Sequence, residues 1–273
     1  MHIAGTTPTY ALCRVTKNIE TLMDNQAKAG TERRAVVVGA SSGIGYQVAR
    51  ELLREGWRIG VAARHTERLH QLAREYEGRV SVARIDVTRD EAAGQLLELV
   101  DAVGGMELYL HVAGVGWQNP ELLAERELPT VETNAMGFAR LVGVAYRYFA
   151  ARGGGHIAVV SSIAGTKGLG AAPAYSASKA FQNVYIEALA QQARMRRLPI
   201  CFTDVRPGFV QTSLLGDGRR YPMLMQPERV AQAIVKAVRA RRSVCVIDWR
   251  YRVLTALWRL IPYGLWRRMT IRN

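Results

Sequence analysis

The sequence predicts a doubly wound α/β fold: one domain built on a parallel sheet of about seven strands, with helices on both faces. Three observations carry this. From residue 34 onward, short apolar and largely β-branched runs alternate with longer segments of helical periodicity. The short runs are continuously apolar, the pattern of strands covered on both faces. The first run passes directly into a glycine-rich turn and then into a helix. Strands that alternate with helices need crossover connections, which make the sheet parallel.

In chain order, strands are expected at 35–38, 58–62, 80–85, 108–112, 157–160, 200–205 and 244–247. About seven helices lie between and after them. In 46–55, for example, Val48, Leu52 and Leu53 recur on one face. No linker divides 32–248, which is read as one domain. Residues 1–31 lack strong apolar periodicity and are read as a flexible extension, and Met23 is an alternative initiator. Residues 249–273 are read as a basic, amphipathic C-terminal segment.

The chain has 273 residues, 49% of them hydrophobic, enough to bury a large core. Cys13, Cys201 and Cys245 are scattered and form no CxxC pair. That pattern argues against a disulfide framework and against a metal site, and points to the cytoplasm. No stretch reaches the roughly 18–20 apolar residues of a transmembrane helix, and the first residues do not read as a signal peptide. The net charge is +14, and nine arginines against one acid, Asp248, put +8 of it in 239–273. No nucleic-acid motif accompanies this charge, so no nucleic-acid partner is expected.

Gly39-Ala40-Ser41-Ser42-Gly43-Ile44-Gly45 follows the first strand and opens a helix. Glycines allow a tight turn and a close backbone approach to a pyrophosphate, and the helix N-terminus adds partial positive charge there. In such folds an acid at the end of the second strand commonly binds the ribose 2′-hydroxyl. Here that strand ends Ala62-Ala63-Arg64-His65. Arg64 is a fork of donors suited to a phosphate, which favours NADP(H) over NAD(H), the alternative being a solvated surface arginine. Asp86, followed by Val87 after the third strand, is placed either to accept from the adenine amino group or to cap a helix.

Tyr175 and Lys179 stand at i,i+4 on an alanine-rich helical segment and so share a face. A nearby ammonium stabilises a phenolate and draws the tyrosine pKa down from about 10, as acid–base catalysis near neutrality requires. Ser162 lies thirteen residues upstream, past the fifth strand, at the carboxyl edge where open sheets bind ligands. It is preferred to its neighbour Ser161 on that spacing. Asn134 follows a helical lead-in at 128–133, and Pro207-Gly208-Phe209-Val210-Gln211-Thr212 follows the sixth strand.

Together these motifs, over roughly residues 34–250, closely resemble the short-chain dehydrogenase/reductase family. The resemblance implies a Rossmann-type fold and hydride transfer between nicotinamide and a carbonyl or alcohol. It implies that Ser162 holds the substrate oxygen and that Tyr175 is the general acid/base. Lys179 would bind the nicotinamide ribose and tune Tyr175, while Asn134 would position a water in the proton relay. Backbone around Pro207, Gly208 and Val210 would cradle the nicotinamide, with Thr212 at its carboxamide or phosphate end. Where the family usually has Asn-Asn-Ala-Gly, this chain reads His111-Val112-Ala113-Gly114. Ala113 and Gly114 keep the approach to the cofactor, and His111 is read as a satisfied core histidine rather than a catalytic one.

Leu214, Leu215, Met223, Leu224 and Met225 are read as an adaptable apolar lid, with 168–172 and 115–117 completing a pocket for a bulky hydrophobic substrate; ordinary core is the alternative. In the tail, Leu254, Leu257, Trp258 and Ile261 recur at helical spacing among arginines, with Pro262 breaking the helix. This segment, 249–268, either contacts a membrane surface, at the inner face, or packs on the core or a second subunit. The family habit implies a homodimer or homotetramer. The reading is an NADP(H)-dependent oxidoreductase; the alternatives are an inactive NADP(H)-binding sensor and a membrane-surface binding protein.

Overall fold

The computed structural model describes residues 32–215 and 221–271. The expectations for 1–31, including Cys13 and the Met23 start, lie outside the described residues, as does part of the expected lid, 216–220.

Seven strands form one parallel sheet in the order β3-β2-β1-β4-β5-β6-β7. They are β1 (Arg34–Val38), β2 (Arg58–Ala63), β3 (Val80–Arg84), β4 (Leu108–His111), β5 (Gly155–Val160), β6 (Ile200–Arg206) and β7 (Val244–Val246). All seven expected strands are present, with ends displaced by no more than two residues. β1 pairs with β2 through Val36↔Gly60 and with β4 through Val36↔Tyr109. The strand order therefore reverses between β1 and β4, and loops from the two halves diverge at their carboxyl ends. A doubly wound sheet opens a ligand crevice at that point.

The helices are α1 (Gly43–Arg54), α2 (Glu67–Glu75), α3 (Ala92–Val103), α4 (Ala124–Val131), α5 (Phe138–Ala151), α6 (Pro173–Met195), α7 (Pro227–Arg239), α8 (Trp249–Leu260) and α9 (Tyr263–Trp266). Two cores result, one on each face of the sheet. Ala35, Val37, Val61 and Leu110 point to the side of Val48 and Leu52 of α1 and Ile234 of α7. Val36, Val38, Tyr109 and Val159 point to the side of Leu96 and Val100 of α3 and Leu141 and Phe149 of α5. Successive strand residues supplying opposite cores is the physical origin of the unbroken apolar runs. Gly60 keeps α3 close to β2, since a Cβ there would stand 2.9 Å from Leu99 and Val103 side-chain atoms. Between α4 and α5 the chain makes one wide π-helical turn, Glu132–Gly137, which carries Asn134 at full burial.

His111 ends β4 inside the second core, 2% exposed. Its Nδ1 lies 2.9 Å from the Tyr109 hydroxyl and its ring meets Phe138 edge-on. Its Nε2 is buried without a partner, so the expected satisfied core histidine is satisfied on one side only. Burial, reinforced by the charge of Lys179, lowers its pKa from 6.5 to about 3. Burial and then Arg241 lower His156 from 6.5 to about 4. Below pH 6.5 the unfolded chain therefore binds protons that the folded chain refuses, and stability falls as pH falls. Unfolding free energies from urea titrations between pH 7 and 4 should drop by up to about 1.4 kcal/mol per pH unit for each histidine. His111→Asn should flatten that slope by one histidine's share; an unchanged slope would show that His111 is protonated when folded.

Candidate active site

The turn after β1 is built for close approach. Gly39 has φ +89°, and a Cβ there would stand 2.4 Å from the Ala113 nitrogen. A Cβ on Gly45 would stand 2.1 Å from the Gly39 oxygen, so α1 starts against the strand end. Ser42 precedes α1 without capping it through its side chain. The amides of the first turn therefore face a cleft of about 350 Å³. Gly39, Ser41, Ser42, Gly43, Ile44, Gly45, Arg64, Asp86, Val87, Ala113, Gly114 and Thr212 all line it. Arg64 is exposed at the tip of β2. Burial pushes the Asp86 carboxyl up, but hydrogen bonds from the Thr88 hydroxyl (2.8 Å) and amide (3.1 Å), with the charges of Arg64 and Arg89, leave it below its ordinary value. Asp86 thus fastens the turn after β3 as well as facing the cleft.

A second cavity, about 210 Å³, adjoins the cleft, with Ile44, Thr212 and Leu214 lining both. Ser162 and Tyr175 open into it. Ser161 turns away, donating to Asp204 and to the Val205 carbonyl. Gly208 and Val210 line this cavity instead of the cleft, whereas Pro207 lines neither. Tyr175 stands in the first turn of α6, beneath Gly116, where a Cβ would come within 2.2 Å of its ring. Burial raises the Tyr175 pKa, and its hydrogen bond with Ser162 only partly offsets this. The depression expected from Lys179 is therefore not found, because the ammonium is engaged elsewhere, 5.8 Å from the centre of the ring.

Lys179 is 4% exposed. Its Nζ donates to the Val160 carbonyl and to Gln182 Oε1, each at 3.0 Å. Burial lowers its pKa from 10.5 to about 8, against the opposing pull of Asp204. The Gln182 amide in turn donates to the Asn134 carbonyl at 2.9 Å. Asn134 accepts from the Val115 amide at 2.9 Å and donates to the Val115 carbonyl at 2.7 Å and to Ser178 Oγ at 3.1 Å. Its side chain thus clamps the loop after β4, and a glutamine side chain spans the gap between its carbonyl and Lys179. Asn134 lines neither cavity.

A family model described as short chain dehydrogenase matches residues 33–220. The chain belongs to the short-chain dehydrogenase family. An uncharacterized oxidoreductase of Myxococcus xanthus is 32% identical over 240 residues, covering 85% of this chain and 94% of the relative. Among solved structures, ElxO with NADP bound superposes with a TM-score of 0.73 at 22% identity, over 82% of this chain and all of that one. A variant of actinorhodin polyketide ketoreductase with NADPH superposes with a TM-score of 0.69 at 27% identity, over 79% and 95% of the two chains.

In this short-chain dehydrogenase the C-terminal segment builds the second cavity. Tyr251, Leu254 and Trp258 of α8 form one wall. The Tyr251 hydroxyl donates to the Pro222 carbonyl (2.9 Å) and accepts from the Phe209 amide (3.2 Å). Trp266 donates to the Gly168 carbonyl at 2.8 Å and Lys167 to the Ile261 carbonyl at 3.1 Å, binding the tail to the loop before α6. Of the expected lid, Leu214, Leu215 and Met223 line the cavity, whereas Leu224 faces outward and Met225 is core, paired with Val210. Leu169 contributes from 168–172, while 115–117 line the nucleotide cleft.

Gln182 and Asp204 escaped the sequence reading, although each carries a signal. Gln182 follows Lys179 by one helical turn. Asp204 and Arg206 are an i,i+2 ion pair, 2.6 Å apart, in a largely apolar strand. Gln182→Leu should leave Lys179 and the Asn134 carbonyl each short of a partner and cost about 1–3 kcal/mol in chemical denaturation; a stability unchanged from wild type would mean water replaces the amide freely.

Proposed function

We propose that this chain is an NADP(H)-dependent reductase of a hydrophobic carbonyl compound, running in reverse on the alcohol. The observation that carries the reading is the opening of the Ser162 and Tyr175 hydroxyls into one largely apolar cavity that shares a wall with the glycine-lined cleft. The cleft suits a dinucleotide: Gly39 and Gly45 leave no room for side chains, and the uncapped start of α1 offers amides to a pyrophosphate. Arg64, where an acid would serve a free ribose hydroxyl, supports the phosphorylated cofactor. NADPH is also present in the ketoreductase structure that resembles this chain.

A nicotinamide cofactor held by the glycine turn and Arg64 would supply the hydride for a carbonyl carbon. Ser162 holds the carbonyl oxygen by a hydrogen bond, and Tyr175 gives that oxygen its proton. Lys179, whose ammonium is engaged by the Val160 carbonyl and Gln182, would serve the cofactor's ribose rather than lower the Tyr175 pKa. Gly114, Ala113 and Val87 would border the bound cofactor, and Thr212 stands where cleft and cavity meet. The wall of Ile163, Leu169, Leu215, Met223, Leu254 and Trp258 supports a bulky apolar substrate. Leu128 and Val131 of α4, with Phe181 and Val184 of α6, leave apolar side chains exposed on two helices that pack together, which supports self-association. No helix among the described residues is long and apolar enough to cross a membrane.

Equilibrium binding of NADPH and NADH, followed by turnover on a panel of aryl and alkyl ketones, tests the reading. Arg64→Ala should weaken NADPH binding roughly tenfold or more and leave NADH binding unchanged. Tyr175→Phe should bind cofactor normally and lose roughly 10²–10⁴-fold in turnover. Equal affinity for the two cofactors would remove the NADP(H) assignment, and an active Tyr175→Phe would remove the acid/base one.

A further inference from the structure

Helix α8 carries two apolar faces, not the one that its sequence periodicity predicts. Tyr251, Leu254, Thr255 and Trp258 face inward, and Tyr251 and Thr255 are buried. Leu257, expected to share a face with Leu254 and Trp258, points away, and Ile261 lies beyond the end of the helix. A second stripe runs along the outside at helical spacing. Trp249 is 70% exposed, Val253 50%, Leu257 55% and Leu260 78%, and Tyr263 at 72% continues the stripe past Pro262. Five large apolar side chains standing in water on one surface is a cost that an isolated chain does not recover.

The charges around the stripe identify what covers it. By helical spacing, Arg252 and Arg259 flank it on one side and Arg250 on the other. Arg267 and Arg268 are exposed just beyond, after α9. Asp248 pairs with Arg250 at 2.7 Å; among the described residues no carboxylate pairs with Arg252, Arg259, Arg267 or Arg268. Segment 239–273 holds +8 of the chain's +14. A second copy meeting this face through a two-fold axis would set the same arginines against each other. An anionic surface reverses the sign. Tryptophan and tyrosine on an apolar stripe flanked by exposed arginines match the boundary between acyl chains and headgroups.

We propose that the outer face of α8, with Tyr263, docks on the surface of an anionic phospholipid bilayer, lying in the interface without crossing it. Trp249, Val253, Leu257 and Leu260 enter the acyl boundary, and Arg252, Arg259, Arg267 and Arg268 meet the lipid phosphates. Docking does not depend on the reductase reading. Taken together with that reading, it brings the helix that walls the substrate cavity to the lipid, so that a membrane-dissolved carbonyl compound is the accessible substrate class.

The test is flotation of the purified full-length protein with vesicles of phosphatidylcholine alone and of phosphatidylcholine with about one third phosphatidylglycerol. The protein should float with the anionic vesicles, bind the neutral ones roughly tenfold more weakly, and be released as salt is raised. Leu257→Ser/Leu260→Ser, at exposed positions outside the cavity, should cut anionic binding roughly tenfold or more while cofactor-dependent turnover of a soluble ketone stays unchanged. Arg252→Glu/Arg259→Glu should remove the preference for anionic lipid. Wild-type protein that stays at the bottom of the gradient overturns the proposal, as does a double-serine variant that floats like wild type. A wild-type dimer that ignores vesicles and becomes monomeric in the double-serine variant assigns the face to a second copy and overturns it equally. Retention by a nucleic-acid column with no flotation overturns it in favour of a polyanion of another class.

Discussion

The ammonium of Lys179 is held out of water at the carboxyl end of β5, and the candidate site is arranged around keeping it charged there. Burial alone disfavours the charge, and the fall of its pKa to about 8 is what remains after Asp204 pulls the other way. Its two hydrogen bonds go to a strand-end carbonyl and to a glutamine on its own helix. Both acceptors are fixed by secondary structure, so the ammonium's position follows from how α6 lies against the sheet. Asp204 is held in its turn by Arg206 and by Ser161, just past the end of the neighbouring strand. The fold thus supplies an electrostatic scaffold before any ligand arrives.

Small residues make this geometry possible. At Gly165 a Cβ would come within 2.7 Å of the Lys179 carbonyl, so this glycine lets the loop after β5 lie on α6. At Gly116 the loop after β4 passes directly over Tyr175. At Gly208 a Cβ would collide with the Tyr251 ring, which lets the C-terminal helix close the cavity. The cavity wall therefore depends on the tail, and the basic segment, for which packing on the core was one of the alternatives open in sequence, is part of the site's enclosure.

The sheet was legible because each strand is buried on both faces and writes that fact as an unbroken apolar run. The glycine turn, Ser162, Tyr175 and Lys179 were legible because backbone approach and helical spacing constrain residue type and interval. What sequence could not resolve was the distribution of contacts. Asn134 was recognisable, yet nothing in its neighbourhood foretold that its amide would close on Val115 and leave Gln182 to meet Lys179. The periodicity of α8 identified a helix but merged two apolar faces into one, since the contacts that the inner face makes, Tyr251 against Gly208 and Trp258 against Trp266, are tertiary. Met225 read as lid because its neighbours are lid, and only its pairing with Val210 takes it into the core.

The most direct measurement of the central claim is the titration of Lys179 in the folded protein. The chain has five lysines, so side-chain NMR of the ε-carbon resonances, with Lys179→Met for assignment, resolves it. The midpoint should lie near 8 in wild type and lower in Asp204→Asn, because the carboxylate supports the charge. A midpoint at the ordinary lysine value of about 10.4, unmoved by Asp204→Asn, would mean that the ammonium is solvated and that the site is not organised around it.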